Sequence, residues 1–294
     1  MDNAHKLTDK KLEEIERKLL DIYSSAEKDI QKKADEYFKK FEKEDKKKRI
    51  LLEKGEITKE EYKTWRKGKI MYGKRFEAMQ EDISKQLLNV NKTALAYING
   101  TLPEVYSLNY NALKEAVDGV GGYSFTLVDA DTVRNLALND KSLLPYKKLD
   151  PKKDIPWNMK NINSEVLQGI IQGESIPNIS KRIMNVQEMN KNASIRTART
   201  IVTGAENKGR LDSYQRAQED GIILEKQWIS AHDSKTRDWH RELDGTTSDI
   251  DKPFVNSVGE IMYPGDPGAD PANVYNCRCT LVANVKGFRK ADKS

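Results

Sequence analysis

Gly221-Ile222-Ile223-Leu224-Glu225-Lys226-Gln227-Trp228-Ile229 is where the chain changes character. A helix-stopping glycine is followed by a run rich in β-branched and aromatic residues, the composition of a strand. What precedes it reads as helices and loops, so this one run separates an α+β protein from an all-α one. Beyond it lie the turn pairs Asp244-Gly245 and Val258-Gly259, the segment Pro264-Gly265-Asp266-Pro267-Gly268, and then Cys279-Thr280-Leu281-Val282-Ala283-Asn284-Val285, which suits a closing strand. Residues 222–286 are therefore expected to form a small α+β unit of short strands and long loops, too loop-rich to hold a large core unaided.

Working back from Gly221, residues 193–221 predict a long helix with Ile195, Ala198, Ile201, Val202, Ala205, Leu211 and Tyr214 inward. Shorter amphipathic helices are expected at 164–173 and 179–186. Residues 129–160, with Pro145, Pro151 and Pro156, predict a loop-rich linker, and 101–125 carry Tyr106, Tyr110 and Tyr123 around the glycines of 119–122. Residues 74–99 predict a helix from the spacing of Phe76, Met79, Ile83, Leu87, Val90, Ala94, Tyr97 and Ile98; Asn99-Gly100 should close it and Pro103 should prevent its resumption. Thr58 and Glu61 form a capping box that opens a short helix running to Trp65. Residues 8–48 predict one long helix. Its face is Ile15, Leu19, Ile22, Ala26, Ile30, Ala34, Tyr37 and Phe41, with Thr8 or Asp9 as cap and Lys46-Lys47-Lys48-Arg49 at its C-terminal end.

The total charge is +5 over 294 residues, with 33% charged, 37% hydrophobic and a mean hydropathy of -0.78. Such a chain exposes much solvated helix surface. The distribution is more telling than the total: residues 1–100 hold 25 basic and 20 acidic residues and none of the nine prolines, while the remaining 194 hold 26 of each charge. The excess peaks in 31–75, with 17 basic and nine acidic residues and Tyr62, Trp65 and Tyr72 interleaved. That segment is the electrostatic candidate for nucleic acid, through Lys46, Lys47, Lys48, Arg49, Arg66, Lys67, Lys69, Lys74 and Arg75, although a solvated helix surface with aromatic packing explains it equally well. No run approaches the roughly 18 apolar residues of a membrane span. The start lacks an apolar signal segment, and the cysteine pair Cys277 and Cys279 would staple almost nothing, so a disulfide scaffold is set aside.

The chemistry-bearing residues cluster near the C-terminus: Trp228, His232, Asp233, Arg237, His240, Asp266, Asn276, Cys277, Arg278 and Cys279. If 233–243 is helical, Asp233, Arg237 and His240 share one side. Three chemistries are compatible with the set. Cys277, Cys279 and His240 suit a zinc site, with His232 or an aspartate as fourth ligand, although C-x-C is tighter than the usual spacing. The same residues also suit a metal-free structural cluster with an arginine–carboxylate pair and buried thiols. A Cys-His nucleophile, or a metal-dependent nuclease using His232, Asp233 and His240, is the third. No P-loop, dinucleotide fingerprint, nucleophile elbow or zinc-deaminase signature is present.

Taken in order, Trp228, Asp233, Arg237, His240, Leu243-Asp244-Gly245, Phe254, Pro264-Gly265-Asp266-Pro267 and Val274-Tyr275-Asn276-Cys277-Arg278-Cys279 resemble the C-terminal signature of the phage Mu F-like minor head proteins, also called the phage head morphogenesis or minor capsid family. Ala198-Arg199-Thr200 with Gly204-Ala205-Glu206-Asn207, and Gln168-Gly169-Ile170 with Gly173-Glu174-Ser175, resemble the family's preceding segments. Ile201 departs from the family's usual glutamate, and His232 stands where relatives often have a small polar residue.

The resemblance implies a virion structural protein rather than an enzyme, taking part in head morphogenesis and in genome packaging or ejection. Its implied partners are the portal protein, double-stranded DNA without sequence preference, and scaffold or major capsid protein, with no membrane span. It implies a place in the capsid interior near the portal, after assembly in the host cytoplasm. Asp233, Arg237, His240, Asp266, Asn276, Cys277, Arg278 and Cys279 are then expected to hold the C-terminal domain together, with zinc as the cofactor the donor set would accept at His240, Cys277 and Cys279. The alternative is a metal-dependent DNA-processing enzyme carried in the virion. The expected organisation is a basic helical region at 1–128, the linker at 129–160, a Mu F-like domain at 161–286 and a tail at 287–294.

Overall fold

The computed structural model describes residues 2–118, 127–140, 143 and 148–289. The glycines of 119–122, Tyr123, Pro145 and the tail from 290 lie outside the described residues. The chain is mainly helical with small antiparallel sheets near its C-terminus, an α+β protein. The chain divides into two compact units: one comprises Met1–Arg17, Ala96–Lys147 and Ile195–Ser294, the other Lys18–Leu95 and Lys148–Ser194. The long helices α1 (Asn3–Glu53), α3 (Lys74–Tyr110) and α8 (Ile183–Glu219) each supply residues to both.

The unit of 18–95 and 148–194 is all helix. Ile30, Ala34 and Phe38 of α1, Phe76, Ile83 and Leu87 of α3, Ile162 and Val166 of α6 (Pro151–Ile171), and Ile183 and Val186 of α8 form its core. α7 (Ile176–Lys181) closes against Gly169, where an added Cβ would stand 2.8 Å from the Ile179 side chain. A buried polar chain crosses the core: Tyr23 donates to Asn91 (2.5 Å), Asn91 to Asn190 (2.7 Å), and Asn190 to Asn158 (2.8 Å). Buried amides are tolerated when partnered in this way. The Thr58–Glu61 capping box is present and opens α2 (Lys59–Arg66), which passes into a π-helical turn at Lys67–Met71.

The unit of 1–17, 96–147 and 195–294 carries the sheets. β1 (Ile222–Ile229) follows Gly221, whose φ of 90° ends α8 in the left-handed region that glycine tolerates. β1 lies between β2 (Thr247–Asp249) and β5 (Thr280–Phe288), antiparallel to both, with Trp228 opposite Leu281. β3 (Phe254–Asn256) and β4 (Gly259–Ile261) make a separate hairpin. The inward residues of β1 are Ile222, Leu224, Lys226 and Trp228; they pack with Leu211, Tyr214, Leu243, Phe254 and Leu281. α4 (Leu113–Asp118) adds Leu113 and Val117, and α5 (Ala130–Asn139) lies in the same unit.

Several expected boundaries move. α1 begins at Asn3, so Thr8 is not a cap but a buried residue whose hydroxyl donates to the Ala4 carbonyl at 3.0 Å. It also runs past Lys46–Arg49 to Glu53, and Gly55 (φ 73°) follows the break. α3 does not stop at Asn99-Gly100: it continues through Pro103 because Ala94, Ile98, Leu102, Val105 and Tyr106 extend one buried stripe. A proline costs a helix interior about 3 kcal/mol, and each large apolar side chain buried returns about 1.5–3 kcal/mol. The linker expected at 129–160 is largely helical. Asp129 caps α5, and Asp150 caps α6 with Pro151 at the first helical position, so that proline starts a helix rather than breaking one.

Candidate functional site

The polar cluster is assembled on one stripe of α8. Thr200, Thr203, Asn207 and Arg210 recur at steps of three, four and three, so they share one helical face, and that face grips the backbone that bears the cysteines. The Asn276 N–H donates to Thr200 Oγ1 (2.8 Å), Thr203 Oγ1 to the Cys277 carbonyl (2.7 Å), and Asn207 Nδ2 to the Cys279 carbonyl (3.2 Å). Asn207 Oδ1 accepts from Leu281 N–H (2.7 Å), and Arg210 donates to the Leu281 carbonyl (2.8 Å). Asn276 takes the left-handed backbone (φ 58°), a conformation asparagine tolerates better than most residues.

His240, Cys277 and Cys279 are all buried, and their ligand atoms lie within 4.8 Å of one another. His240 Nδ1 stands 3.6 Å from each sulfur, and the Cys279 N–H donates to Cys277 Sγ at 3.4 Å. The Cys279 thiol and the His240 ring hold the Cys277 thiol well below its ordinary range against the opposing effect of burial; Cys279 is pushed up by its sulfur neighbour and by burial. Trp228 meets the imidazole edge-on at 5.3 Å, and Trp239 at 6.5 Å. Among the described residues this is the one group of three such side chains placed to hold a metal ion.

The neighbouring residues take other roles. The expected helix over 233–243 shrinks to α9 (Asp238–Arg241), with Arg237 as its N-cap, so Asp233, Arg237 and His240 do not share a helical face. Asp233 instead accepts from Lys235 N–H (2.9 Å) and pairs with Arg278; burial raises its carboxyl, and these contacts hold it below the usual range. Arg237 donates to the Tyr275 carbonyl. Asp266 closes the turn of the Pro264–Pro267 segment by accepting from Met262 N–H (3.2 Å) and Gly268 N–H (2.8 Å). His232 is largely exposed beside Asp244 at 3.4 Å, so His232, Asp233 and His240 do not converge on a common ion.

Two buried groups were missed at the level of sequence. Arg210 is 1% exposed and also pairs with Asp2 (2.5 Å), while His5 Nδ1 lies 2.7 Å from Glu206 Oε1. The step of Arg210 from Asn207 and Thr203 was a legible signal; nothing local marks Asp2 or His5, whose partners lie about two hundred residues away. Lys226 is the other. It sits on the inward face of β1, donates to the carbonyls of Met262 (2.9 Å) and Ile250 (3.2 Å), and lies over the Phe254 ring; burial lowers it to about 8.

Of the basic set expected to meet DNA, Lys46, Lys47, Lys67, Lys69, Lys74 and Arg75 are exposed, and Lys48 is half-buried. Arg66 is a correction: it is fully buried and ion-paired with Asp45 (2.8 Å), with a further bond to the Glu174 carbonyl (2.5 Å). It is spent inside the fold. Arg49 is half-buried and donates to the carbonyls of Gly173 (3.2 Å) and Glu174 (3.4 Å). No helix among the described residues is long and apolar enough to cross a membrane.

Residues 160–282 match the family described as Phage Mu protein F like protein. Along 291 residues the chain is 25% identical to minor head protein GP7 of Bacillus phage SPP1, covering 96% of this chain and 86% of that one. Over 129 residues it is 30% identical to the NAD(+)--arginine ADP-ribosyltransferase EFV of Enterococcus faecalis, covering 44% of this chain but only 26% of that one. No solved structure matches the chain.

Proposed function

We propose, starting from a chain that is a Mu F-like minor head protein, that it docks on the portal protein inside the phage head and contacts packaged double-stranded DNA without sequence preference. A part in phage head morphogenesis follows from the family. The observation that carries the reading is the likeness to a minor head protein along nearly the whole chain, which takes in the helical basic segment as well as the cysteine-bearing end. The exposed cations Lys46, Lys47, Lys67, Lys69, Lys74 and Arg75 support the DNA contact. A few exposed lysines give the salt-dependent, sequence-independent attraction that phosphate backbones exert. The polar cluster supports a structural role for the C-terminal residues, because Thr200, Thr203, Asn207 and Arg210 of α8 hold the backbone of 276–281. Scaffold or major capsid protein are further partners of the same assembly, and the genome's delivery is the step at which a DNA contact near the portal would act.

The test is co-expression with the portal protein of the same phage, followed by affinity purification and a gel shift on unrelated duplexes. The expected outcome is co-purification with the portal and a shift that fades between about 50 and 200 mM salt. The Lys46→Glu/Lys47→Glu/Lys67→Glu variant should keep the portal and lose the shift. Absence of the portal from the purified material would overturn the docking, and absence of any shift at low salt would overturn the DNA contact. Plasmid cleavage that depends on a divalent metal would favour a DNA-processing enzyme instead.

A further inference from the structure

We infer that His240, Cys277 and Cys279 form a zinc site, in which the imidazole Nδ1 and two thiolates hold one Zn²⁺ and water completes the coordination. The inference is independent of the proposed portal and DNA contacts.

The geometry makes the first argument. Zinc binds thiolate at about 2.3 Å and imidazole at about 2.0–2.1 Å, so at a tetrahedral angle a sulfur and a nitrogen on one ion stand about 3.5 Å apart. His240 Nδ1 stands 3.6 Å from both sulfurs. One ring nitrogen carries at most one proton and cannot hydrogen-bond well to two thiols at once; being equidistant from both is the arrangement of three ligands around a shared centre. The donor set makes the second argument: two soft sulfurs and one borderline nitrogen suit zinc and are poor ligands for magnesium or calcium.

The third argument is preorganisation. Every backbone segment that bears a ligand is fixed by contacts other than those among the ligands. Thr200, Thr203 and Asn207 hold the Asn276 N–H and the Cys277 and Cys279 carbonyls, and α9, which carries His240, is tied through Arg237 to the Tyr275 carbonyl. An N–H donor is already aimed at one of the sulfurs, Cys279 N–H at Cys277 Sγ (3.4 Å). Donors of that kind stabilise metal-bound thiolates, and the rings of Trp228 and Trp239 supply the dry shell that strengthens such a site. All three ligands are buried, which suits an ion with a structural role. The balance is simple: the two S–H bonds break, two Zn–S bonds form, and the thiol protons pass to solvent. A small loop-rich unit gains folding free energy from such a clasp.

The test uses the full chain, free of any histidine tag and purified without added metal. Elemental analysis should find one equivalent of zinc. Chelator should lower the melting temperature of the sheet-bearing unit, and zinc should restore it. Replacement by Co²⁺ should give thiolate-to-cobalt charge-transfer absorption in the near ultraviolet together with intense visible bands, which a site without sulfur ligands does not produce. Cys279→Ser and His240→Ala should lose the metal. If those variants do not fold, the cobalt spectrum and the chelator response of the unaltered chain still decide. Sub-stoichiometric zinc with two titratable thiols, a Cys277–Cys279 disulfide, or melting indifferent to chelator would each overturn the site, and an equivalent of copper or iron instead would overturn its assignment to zinc.

Discussion

Gly204 and Gly265 meet backbone to backbone. An added Cβ on Gly265 would stand 2.6 Å from the Gly204 nitrogen, and one on Gly204 would stand 3.0 Å from the Gly265 carbonyl oxygen. Gly265 also has a φ of 82°. This contact seats the Pro264–Pro267 turn on α8, in the same unit as the cysteines. Gly265→Ala combines left-handed strain of about 1 kcal/mol with a clash that only backbone movement relieves, so we expect at least about 2 kcal/mol of destabilisation. Gly100→Ala is the control: it lies in α3 with open space around it and should be neutral or stabilising by up to about 1 kcal/mol. Thermal or urea melts should show a clear loss of stability for Gly265→Ala and no loss for Gly100→Ala.

The Arg66–Asp45 pair should be costly to break and cheap to replace. Its side chains are almost wholly buried, and Asp45 also accepts from the Tyr62 hydroxyl at 2.8 Å. Asp45→Ala strands a buried guanidinium and should cost about 3–5 kcal/mol, while Asp45→Leu/Arg66→Met should cost clearly less. A double change as damaging as the single one, measured by urea unfolding, would show that the pair is not what stabilises this region.

Lys226 should make stability rise with pH over an alkaline window. Burial depresses its folded-state value from 10.5 to about 8. Between these values the unfolded chain holds a proton that the folded chain has released, so raising the pH favours the folded state. The unaltered protein should therefore gain stability relative to Lys226→Met from pH 8 to 10.5. Parallel stability–pH curves for the two proteins would contradict this.

His5 works in the opposite sense. Burial pushes its imidazole down, but the hydrogen bond and charge of Glu206 outweigh burial and raise it above 6.5. Its contribution is fully present below about pH 6.5 and is lost as pH climbs through the raised folded-state value. His5→Gln should flatten the loss of stability on going from pH 6 to 8, as followed by chemical denaturation at each pH.

How far the sequence could be read depends on the range of the interactions involved. The strand at 222–229, the stop at Gly221 and the Thr58–Glu61 capping box were legible because each is decided within a few residues by composition, φ preference or a local hydrogen bond. The stripe of α1 was legible for the same reason, and the motif order from Trp228 to Cys279 pointed to the family whose model matches residues 160–282 before any contact was known. Two prolines misled for physical reasons: the buried stripe around Pro103 outweighs that residue's local cost, and Pro151 stands at the first helical position, where no N–H is needed.

The sequence by itself determined a basic helical beginning, an α+β end and a set of residues at that end capable of metal or structural chemistry. Only the tertiary structure decided which of them meet. It separated His232 from His240, paired Asp233 with Arg278, and set one imidazole nitrogen equidistant from two sulfurs. It also withdrew Arg66 from the surface and brought His5 to Glu206. Each of those outcomes depends on chain segments remote in sequence packing together, and burial, which turns a nearby charge into a committed partner, exists only once they have done so.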